Sequence, residues 1–496
     1  MMATYDFDIG ILGGGAAGLT VAAGAAQLGA KTLLVEKEQE LGGDCLHFGC
    51  VPSKTLIKSA YVYHLMHHGP QFGLPAATVG PVDFSQIAQR IAGVIAKIQA
   101  HDSQERFCKL GARVEVGNPH FSDEHTIELG GRRFSARNWV LATGSSAMVP
   151  PIPGLRESAP ITNREIFSLA RLPASMIFLG GGPIGIEMAQ AFARLGSRVA
   201  VVDRADQILL KEDQDMAAAV RQRLETEGVA FHLNSAIKAV AARNGQKTVT
   251  LRDAQGKTRE LSAEALVVAM GRAPNTQGLN LEGIGVELER GAVTVDARLR
   301  TAQKHIYGAG DVIGGYQFTH AAGYEGGIVV SNAIFHLPRK ADYAHMPWCT
   351  YCDPELASIG LNEKGARQQG LEYRVLSEEF QNNDRGLAEE AGAGKIKLLL
   401  DAREKPLGVQ ILGLHAGELM GHWVAALNGK VKLSTLAGAI QPYPTLGEIN
   451  KRVAGNLFSP KIFSEKVRKG LKFFFNLKGR ACELDPTDGS CVAVDD

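Results

Sequence analysis

The first forty residues of the chain alternate between short apolar runs and a glycine-rich turn. The stretch DFDIGILGGGAAGLTVAAGAAQLGAKTLLVEKE predicts a buried strand, a glycine turn, an Ala-rich helix and a second strand that ends at Glu36. Gly13, Gly15 and Gly18 form a G-x-G-x-x-G pattern at the turn, and Glu36 follows Gly18 by 18 residues. In such a strand–helix–strand unit the glycines admit a pyrophosphate and the acid holds a ribose, which predicts a dinucleotide site.

The same pattern recurs in ASMIFLGGGPIGIEMAQAFARLGSRVAVVDRA. Gly180, Gly182 and Gly185 repeat the glycine spacing 167 residues after the first copy, and Asp203 ends the second strand. Two fingerprints predict two nucleotide-binding domains, and therefore electron transfer between two cofactors in one chain. A carboxylate at Asp203 favours NADH over NADPH, whereas the adjacent Arg204 keeps NADPH open.

Composition and charge narrow the alternatives. The 496 residues are 45% hydrophobic and 21% charged, which allows about three domains with ample core. The net charge of +1 gives no reason to expect nucleic acid as a partner. No secretory signal and no apolar run of membrane-spanning length is visible, so we expect a cytoplasmic protein. In that compartment a disulfide is more often catalytic or sensory than structural.

Two cysteines lie close together in GGDCLHFGCVPSK. Cys45 and Cys50 are five residues apart, and on one regular helix their Cα atoms would be roughly 8–9 Å apart, too far for a disulfide. A bridge therefore needs bent backbone, which Gly42, Gly43 and Gly49 can supply. The spacing alone leaves open a redox centre or a pair of ordinary thiols.

These motifs together resemble one family. The early G-x-G-x-x-G, the C-x-x-x-x-C with V-P-S-K, ATG at 142–144, the second G-x-G-x-x-G and IYGAGD at 306–311 are similar to the pyridine nucleotide-disulfide oxidoreductases. The resemblance implies an α/β fold with two Rossmann-like domains and an α+β carboxy-terminal dimerisation domain. It also implies a homodimer that binds FAD at the first fingerprint and NADH, or NADPH, at the second. Further cofactor contacts implied are Thr143, Gly144, Gly271 and Asp311, while His320 either faces the flavin or is an ordinary structural histidine.

The resemblance also sets the domain limits that we expect. Residues 1–150 and 276–345 form the FAD domain, 151–275 the NAD domain and 346–458 the interface domain. Residues 459–496 form a basic amphipathic helix followed by an acidic tail.

Four residues take redox roles by resemblance. Cys45 exchanges with the substrate, and Cys50 lies against the flavin as its charge-transfer thiolate. Lys54 pairs with Glu187 beside the flavin, although both could instead be solvated helix charges. Electrons then pass from NAD(P)H through FAD and the cysteine pair to an acceptor.

The carboxy-terminal domain departs from the family pattern. Disulfide reductases supply His-Pro-x-x-x-Glu from the partner subunit, whereas this chain has YPTLGE, with Tyr443 in place of the histidine and Glu448 retained. A phenol with a pKa of about 10 does not readily exchange a proton near neutrality, and mercuric reductases resemble the chain in having this tyrosine.

A metal ion, a disulfide as in dihydrolipoamide dehydrogenase, and a quinone remain candidate acceptors. A membrane-associated flavin redox sensor is the alternative of another class.

The remaining cysteines and the tail give weaker signals. Cys349 and Cys352 form a lone C-x-x-C in a predicted strand, which favours core packing over a metal site. Cys482 and Cys491 are either a divergent metal-delivery pair or unrelated thiols. Residues 459–480 place Phe463, Val467, Leu471 and Phe474 at helical spacing among seven basic residues and one acid. Such a helix packs on its own domain or contacts a membrane or a protein partner.

Overall fold

The computed structural model describes residues 4–485 and 491–493. The chain divides into two compact units, Met1–Leu356 and Ala357–Asp496. The strands that begin in the first unit are β1 Phe7–Leu12, β2 Thr32–Glu36, β3 Ala112–Val116, β4 His120–Asp123, β5 Thr126–Leu129, β6 Arg132–Leu141, β7 Ser145–Ala147, β8 Ser175–Leu179, β9 Arg198–Val202, β10 Ala230–His232, β11 Ala236–Arg243, β12 Gln246–Arg252, β13 Thr258–Ala263, β14 Ala265–Val268, β15 Arg272–Pro274, β16 Leu288–Glu289, β17 Ala292–Val293, β18 Ile306–Gly308, β19 Pro347–Thr350 and β20 Glu355–Gly360.

The helices of the first unit surround these strands. They are α1 Ala16–Gln27, α2 Gly43–His47, α3 Cys50–His67, α4 Phe84–Gln99, α5 Gln104–Lys109, α6 Pro183–Leu195, α7 Gln214–Thr226 and α8 Thr319–Ala333. Short 3₁₀ helices span Gly69–Phe72, Ile166–Ser168, Glu282–Ile284 and Asp311–Ile313.

The first sheet is assembled from distant parts of the chain. Its order is β3-β2-β1-β6-β5-β4, and β18 pairs in parallel with β6, with Ile306 opposite Trp139. The apolar runs of β1 and β2 are buried almost throughout because helices such as α1 and α8 cover the sheet. The carboxyl ends of β1, β2, β6 and β18 therefore meet at one edge, where ligands bind in open α/β sheets.

A second parallel sheet repeats this arrangement. Its order is β10-β9-β8-β14, and α6 connects β8 to β9 as α1 connects β1 to β2. The antiparallel sheet β11-β12-β13 packs beside it in a shared core that includes Ile177, Val249 and Leu266. The two sheets of Rossmann type agree with the α/β fold expected from the sequence.

The second unit is an α+β structure. Strands β20, β23, β22 and β21 are neighbours in that order, where β21 is Arg374–Glu379, β22 is Lys395–Leu400 and β23 is Pro406–Gly413. The helices are α9 Glu363–Gln368, α10 Asp384–Ala388, α11 Ala416–Asn428, α12 Leu433–Gly438, α13 Glu448–Gly455, α14 Ser459–Ile462 and α15 Glu465–Phe475, with a 3₁₀ helix at Phe380–Asn382. A hairpin of β24 Cys482–Leu484 and β25 Cys491–Ala493 follows.

Candidate active site

The first glycine turn leaves no room for a side chain. Gly13 has a φ of +108°, and a Cβ atom on Gly18 would lie 1.8 Å from the Gly13 carbonyl oxygen. Helix α1 can therefore begin directly beneath the turn. Glu36 is buried at the end of β2, and its Oε2 accepts a hydrogen bond of 2.6 Å from the Gly14 amide. This hydrogen bond fixes the Glu36 carboxylate against the glycine turn.

The second glycine turn has the same construction. Gly180 has a φ of +112°, and a Cβ on Gly185 would lie 2.0 Å from the Gly180 carbonyl oxygen. Asp203 accepts hydrogen bonds from the amides of Gly181 at 2.6 Å and Ala205 at 2.8 Å. Nothing lies within 4 Å of a Cβ built on Gly182, so the helix start faces open space.

Both turns open into one cavity of about 1560 Å³ within the first unit. Most of the cofactor and redox residues expected from the sequence line it, namely Gly13, Gly15, Glu36, Cys45, Cys50, Lys54, Thr143, Gly144, Gly180, Gly182, Glu187, Asp203, Gly271, Asp311 and His320. Gly18 and Gly185 are buried in α1 and α6, where they support the turns from behind. The cavity exceeds the usual volume of a small-molecule site, about 300–1,000 Å³, as two dinucleotides require.

Bent backbone separates the two cysteines of the cavity. Cys45 lies in α2 and Cys50 is the first residue of α3, with a turn at Phe48 and Gly49 between them. Gly42 at φ +115° and Gly43 at φ +60° adopt left-handed conformations that favour glycine. A Cβ on Gly49 would lie 2.9 Å from the Asp44 carbonyl oxygen and 3.1 Å from the Cys45 Cα. The glycines therefore bring the two sulfurs together as free thiols.

The two thiols differ in pKa because their surroundings differ. The hydrogen bond from Cys45 lowers the pKa of Cys50 to about 6, with support from Thr319 and the charge of Lys54. The same hydrogen bond and burial raise the pKa of Cys45. Thr319 Oγ1 lies 3.4 Å from the Cys50 sulfur, and the start of α3 adds its positive dipole end. At neutral pH Cys50 is the thiolate and Cys45 keeps its proton.

An ion pair lies one helical turn beyond Cys50. Lys54 Nζ is 2.7 Å from Glu187 Oε2, and the other Glu187 oxygen accepts the Tyr351 amide at 2.8 Å. The ammonium also lies 4.4 Å from the centre of the Tyr351 ring. Burial opposes the charged lysine, yet Glu187 raises the pKa of Lys54 above its ordinary value. The cavity wall therefore carries a fixed cation beside the thiolate.

A polar network beside the cysteine loop was not predicted from the sequence. Arg272 Nη2 lies 2.9 Å from Asp44, the residue before Cys45, and its Nε donates to Ser145 Oγ at 2.7 Å. Ser145 in turn donates to Asp311 at 2.5 Å. Burial raises the pKa of Asp311. Arg272 thus joins the cysteine loop to the turn that carries Asp311.

The C-x-x-C pair differs in part from its expected role. Cys352 is buried and directs its thiol toward the Pro354 carbonyl at 3.1 Å, as core packing requires. Cys349, however, is only half-buried on β19 and lines the cavity, where burial raises its thiol pKa well above the ordinary value. Core packing was therefore wrong for Cys349, because the strand it occupies forms a wall of the cavity.

Four other expected residues form part of the cavity wall. Thr143 donates its hydroxyl to the Asn275 carbonyl at 2.6 Å, and Gly144 adopts a φ of +69° in the same loop. His320 Nε2 is hydrogen-bonded to the Pro347 carbonyl at 2.8 Å, and its ring stacks on Phe318. Gly271, at φ +117°, shapes the loop before Arg272.

Tyr443 and Glu448 belong to the second unit. The Tyr443 side chain is exposed, and its hydroxyl donates to Asp384 at 2.8 Å. This hydrogen bond raises the pKa of Tyr443, so the phenol stays protonated at neutral pH. Glu448 begins α13, and its Oε2 accepts the Thr445 amide at 3.4 Å.

The tail cysteines lie on the β24–β25 hairpin, and the hydrogen bond that the Cys491 thiol donates to Cys482 raises the pKa of Cys491. Residues 486–490 and 494–496 of the expected acidic tail lie outside the described residues. Within the described ranges, no helix has the length and apolar character needed to cross a membrane.

Two dinucleotide folds that face one cavity, with a cysteine pair and a lysine between them, define a flavoprotein reductase that couples a nicotinamide to a dithiol. The chain belongs to the pyridine nucleotide-disulphide oxidoreductase family. The oxidoreductase domain of that family matches residues 7–326, and its dimerisation domain matches residues 346–454.

Individual relatives divide between two activities. The chain is 31% identical to a mercuric reductase of Bacillus cereus, over 90% of this chain and 70% of that protein. It is 33% identical to a dihydrolipoyl dehydrogenase of Geobacillus stearothermophilus, over 90% of this chain and 94% of the relative. The Cu(II) complex of the HOCl-induced flavoprotein disulfide reductase RclA from Escherichia coli superposes with a TM-score of 0.81 at 27% identity, covering 92% of this chain and 100% of that one.

The protein is therefore an NAD(P)H-dependent, FAD-containing oxidoreductase with a redox-active cysteine pair, and its dimerisation domain supports a homodimer. The residues present fit these cofactors. The side-chain-free cradle at Gly13 and Gly18 suits a pyrophosphate, and Glu36 at the end of β2 and Asp203 directly after β9 stand where an acid can hold a ribose in such folds.

Proposed function

We propose that the enzyme passes electrons from NADH to a thiophilic metal cation. The observation that carries this proposal is Tyr443, which stands where the disulfide reductases that the sequence resembles have a histidine. Its hydroxyl is hydrogen-bonded to Asp384 at 2.8 Å. A phenol held protonated cannot relay the proton that reduction of an organic disulfide needs. A metal cation needs thiolate ligands and little proton transfer.

We assign the two cysteines different tasks. FAD, when bound, supplies hydride chemistry between the nicotinamide and the cysteine pair. Opening of the Cys45–Cys50 disulfide consumes an electron pair and one proton, which leaves the Cys45 thiol and the Cys50 thiolate. Closing it again releases the electron pair and the proton, so that one mercuric ion takes both electrons or two cupric ions take one each.

The surrounding residues favour this cycle electrostatically. Lys54, fixed by Glu187, stabilises negative charge beside Cys50, and Thr319 donates toward the same sulfur. Glu36 and Asp311 hold FAD in this proposal, together with Thr143, Gly144, Gly271 and His320. Asp203 binds the ribose of NADH, and Arg204 keeps NADPH as the alternative.

The proposal extends to domains, assembly and location. Residues 1–150 and 276–345 bind FAD, 151–275 bind the nicotinamide nucleotide and 346–458 form the dimer interface. Tyr443 and Glu448 of one chain complete the site around Cys45 and Cys50 of the other. The cytoplasm, where NADH is available and thiols stay reduced, is the proposed compartment.

The test is oxidation of NADH by the purified holoenzyme with mercuric ion, cupric ion, lipoamide, glutathione disulfide or a soluble quinone as the sole acceptor. The proposal expects turnover with a metal cation that is lost in Cys45→Ser and Cys50→Ser. Turnover with lipoamide or glutathione disulfide that exceeds turnover with either metal would overturn it. Absence of turnover with every acceptor would favour a redox sensor.

A further inference from the structure

The segment 459–480, here called the tail segment, is exposed along its length. None of the residues of α14 or α15 is buried. Phe463, Phe473, Phe474 and Phe475 are 71%, 82%, 77% and 71% exposed. Four aromatic side chains in solvent within one short segment are unusual for a folded enzyme, and those that share one helix face with other apolar residues mark an interaction surface.

Helix α15 gathers most of its apolar residues on one face, and within the described part of the chain none of its residues is buried. At about 100° per residue, Val467, Leu471, Phe474 and Phe475 fall within one apolar stripe about 100° wide. The helix begins with a capping hydrogen bond, in which Ser464 Oγ accepts the Val467 amide at 3.4 Å. The cap defines the start of a surface helix on whose apolar stripe Val467 and Leu471 are 39% exposed and Phe474 is 77% exposed.

The polar side of the tail segment is strongly basic. The whole segment contains seven Lys and Arg residues and one acid, Glu465. Glu465 is already paired with Lys469 at 2.6 Å. Among the described residues, Lys466, Arg468, Lys472 and Lys478 form no ion pair. The positive charge of the tail segment therefore favours an anionic binding partner.

We propose that the tail segment docks the homodimer on an anionic lipid membrane. The apolar stripe would enter the boundary between headgroups and acyl chains, and the cations would contact phosphate headgroups. Charge argues against the main alternative occupant: a second copy packed through the same surface would bring the same cations into contact. Two tail segments per homodimer would bind one membrane together and strengthen attachment.

The experiment is co-sedimentation of the full-length holoenzyme with vesicles of phosphatidylglycerol and phosphatidylcholine, compared with vesicles of phosphatidylcholine alone. We expect binding to the anionic vesicles that weakens as salt is raised. The double variant Leu471→Ser/Phe474→Ser should reduce binding by roughly tenfold or more, because it removes apolar area from the stripe. Lys466→Glu/Lys472→Glu should reduce it by a similar factor.

Matched controls keep the result interpretable. Phe473→Ser removes an equally exposed aromatic residue outside the stripe, and Lys257→Glu reverses an exposed charge in the first unit; both should bind nearly as the parent does. NADH oxidation without vesicles should be unchanged in all variants. The inference fails if the parent protein does not bind anionic vesicles. It also fails if the stripe variant, Leu471→Ser/Phe474→Ser, binds them as strongly as Phe473→Ser does. It also fails if the stripe variant changes the oligomeric state, since a second copy would then be the occupant.

Discussion

The hydroxyl of Thr319, the first residue of α8, lies 3.4 Å from the sulfur of Cys50, the first residue of α3. Two helix starts thus converge on one thiol. Each contributes a hydrogen-bond donor or a positive dipole end to that sulfur, which favours the anion.

The Cys50 thiolate should therefore depend on pH in a defined way. A pKa lowered to about 6 means that the thiolate predominates above this pH and is protonated below it. Thr319→Val removes a donor to the thiolate, so the midpoint should move upward, whereas Thr319→Ser should retain it. The charge-transfer absorbance of the two-electron-reduced enzyme, followed against pH, measures this midpoint. Equal midpoints for the Val and Ser variants would contradict the assigned hydrogen bond.

Lys54 should promote reduction of the enzyme. Lys54→Met removes the cation that Glu187 fixes at 2.7 Å, and we expect the rate of reduction by NADH to fall by on the order of tenfold or more. The midpoint of the Cys50 titration should rise in the same variant. Lys58→Met is the matched control, because Lys58 is exposed one turn further along the same helix. Stopped-flow absorbance under anaerobic conditions gives both rates, and similar losses in the two variants would argue for a general helix effect.

Arg272 should contribute to both stability and FAD retention. Arg272→Met removes the donor to Asp44 Oδ2 and to Ser145 Oγ, although Asn163 still donates to Asp44 Oδ1, at a cost of about 1–3 kcal/mol in the free energy of unfolding. The variant should also lose FAD more readily, because Ser145 positions Asp311. Thermal unfolding and flavin release by gel filtration measure the two effects. Arg300→Met, which breaks a more exposed pair with Asp296, should change neither by much; equal effects would show that Arg272 has no special role.

Asp203 should set the preference between the two nicotinamide nucleotides. Its carboxylate, fixed by the Gly181 amide at 2.6 Å, would repel a 2′-phosphate. We expect kcat/KM to be higher for NADH than for NADPH, and Asp203→Ala to narrow the ratio by roughly tenfold. Arg204→Ala tests the alternative. A collapse of NADPH activity in that variant, with NADPH preferred in the parent, would mean that Arg204 rather than Asp203 selects the nucleotide.

Local sequence patterns predicted the two nucleotide-binding turns of the site. They did not predict the contacts between residues that are far apart in the chain. The glycine turns and the acids Glu36 and Asp203 belong to contiguous strand–helix–strand units, whose spacing fixes their geometry. Pairing of Lys54 with Glu187, 133 residues away, came only from family resemblance.

The contacts that were not predicted join separate parts of the chain, so no local sequence pattern indicates them. Arg272 reaches Asp44 and Ser145 because separate loops end at one cavity wall, and Cys349 enters the cavity because β19 forms part of that wall. The exposure of the tail segment could not be predicted either, since an amphipathic pattern looks the same whether its apolar face is covered or free.

The central claim is that electrons pass through the Cys45–Cys50 pair, and anaerobic titration of the holoenzyme with NADH tests it most directly. The parent should take up two electron pairs per flavin, with a charge-transfer band after the first, whereas Cys50→Ala should take up one pair without that band. Uptake of a single electron pair by the parent, with direct bleaching of the flavin, would show that the cysteine pair is redox-silent and would contradict the account.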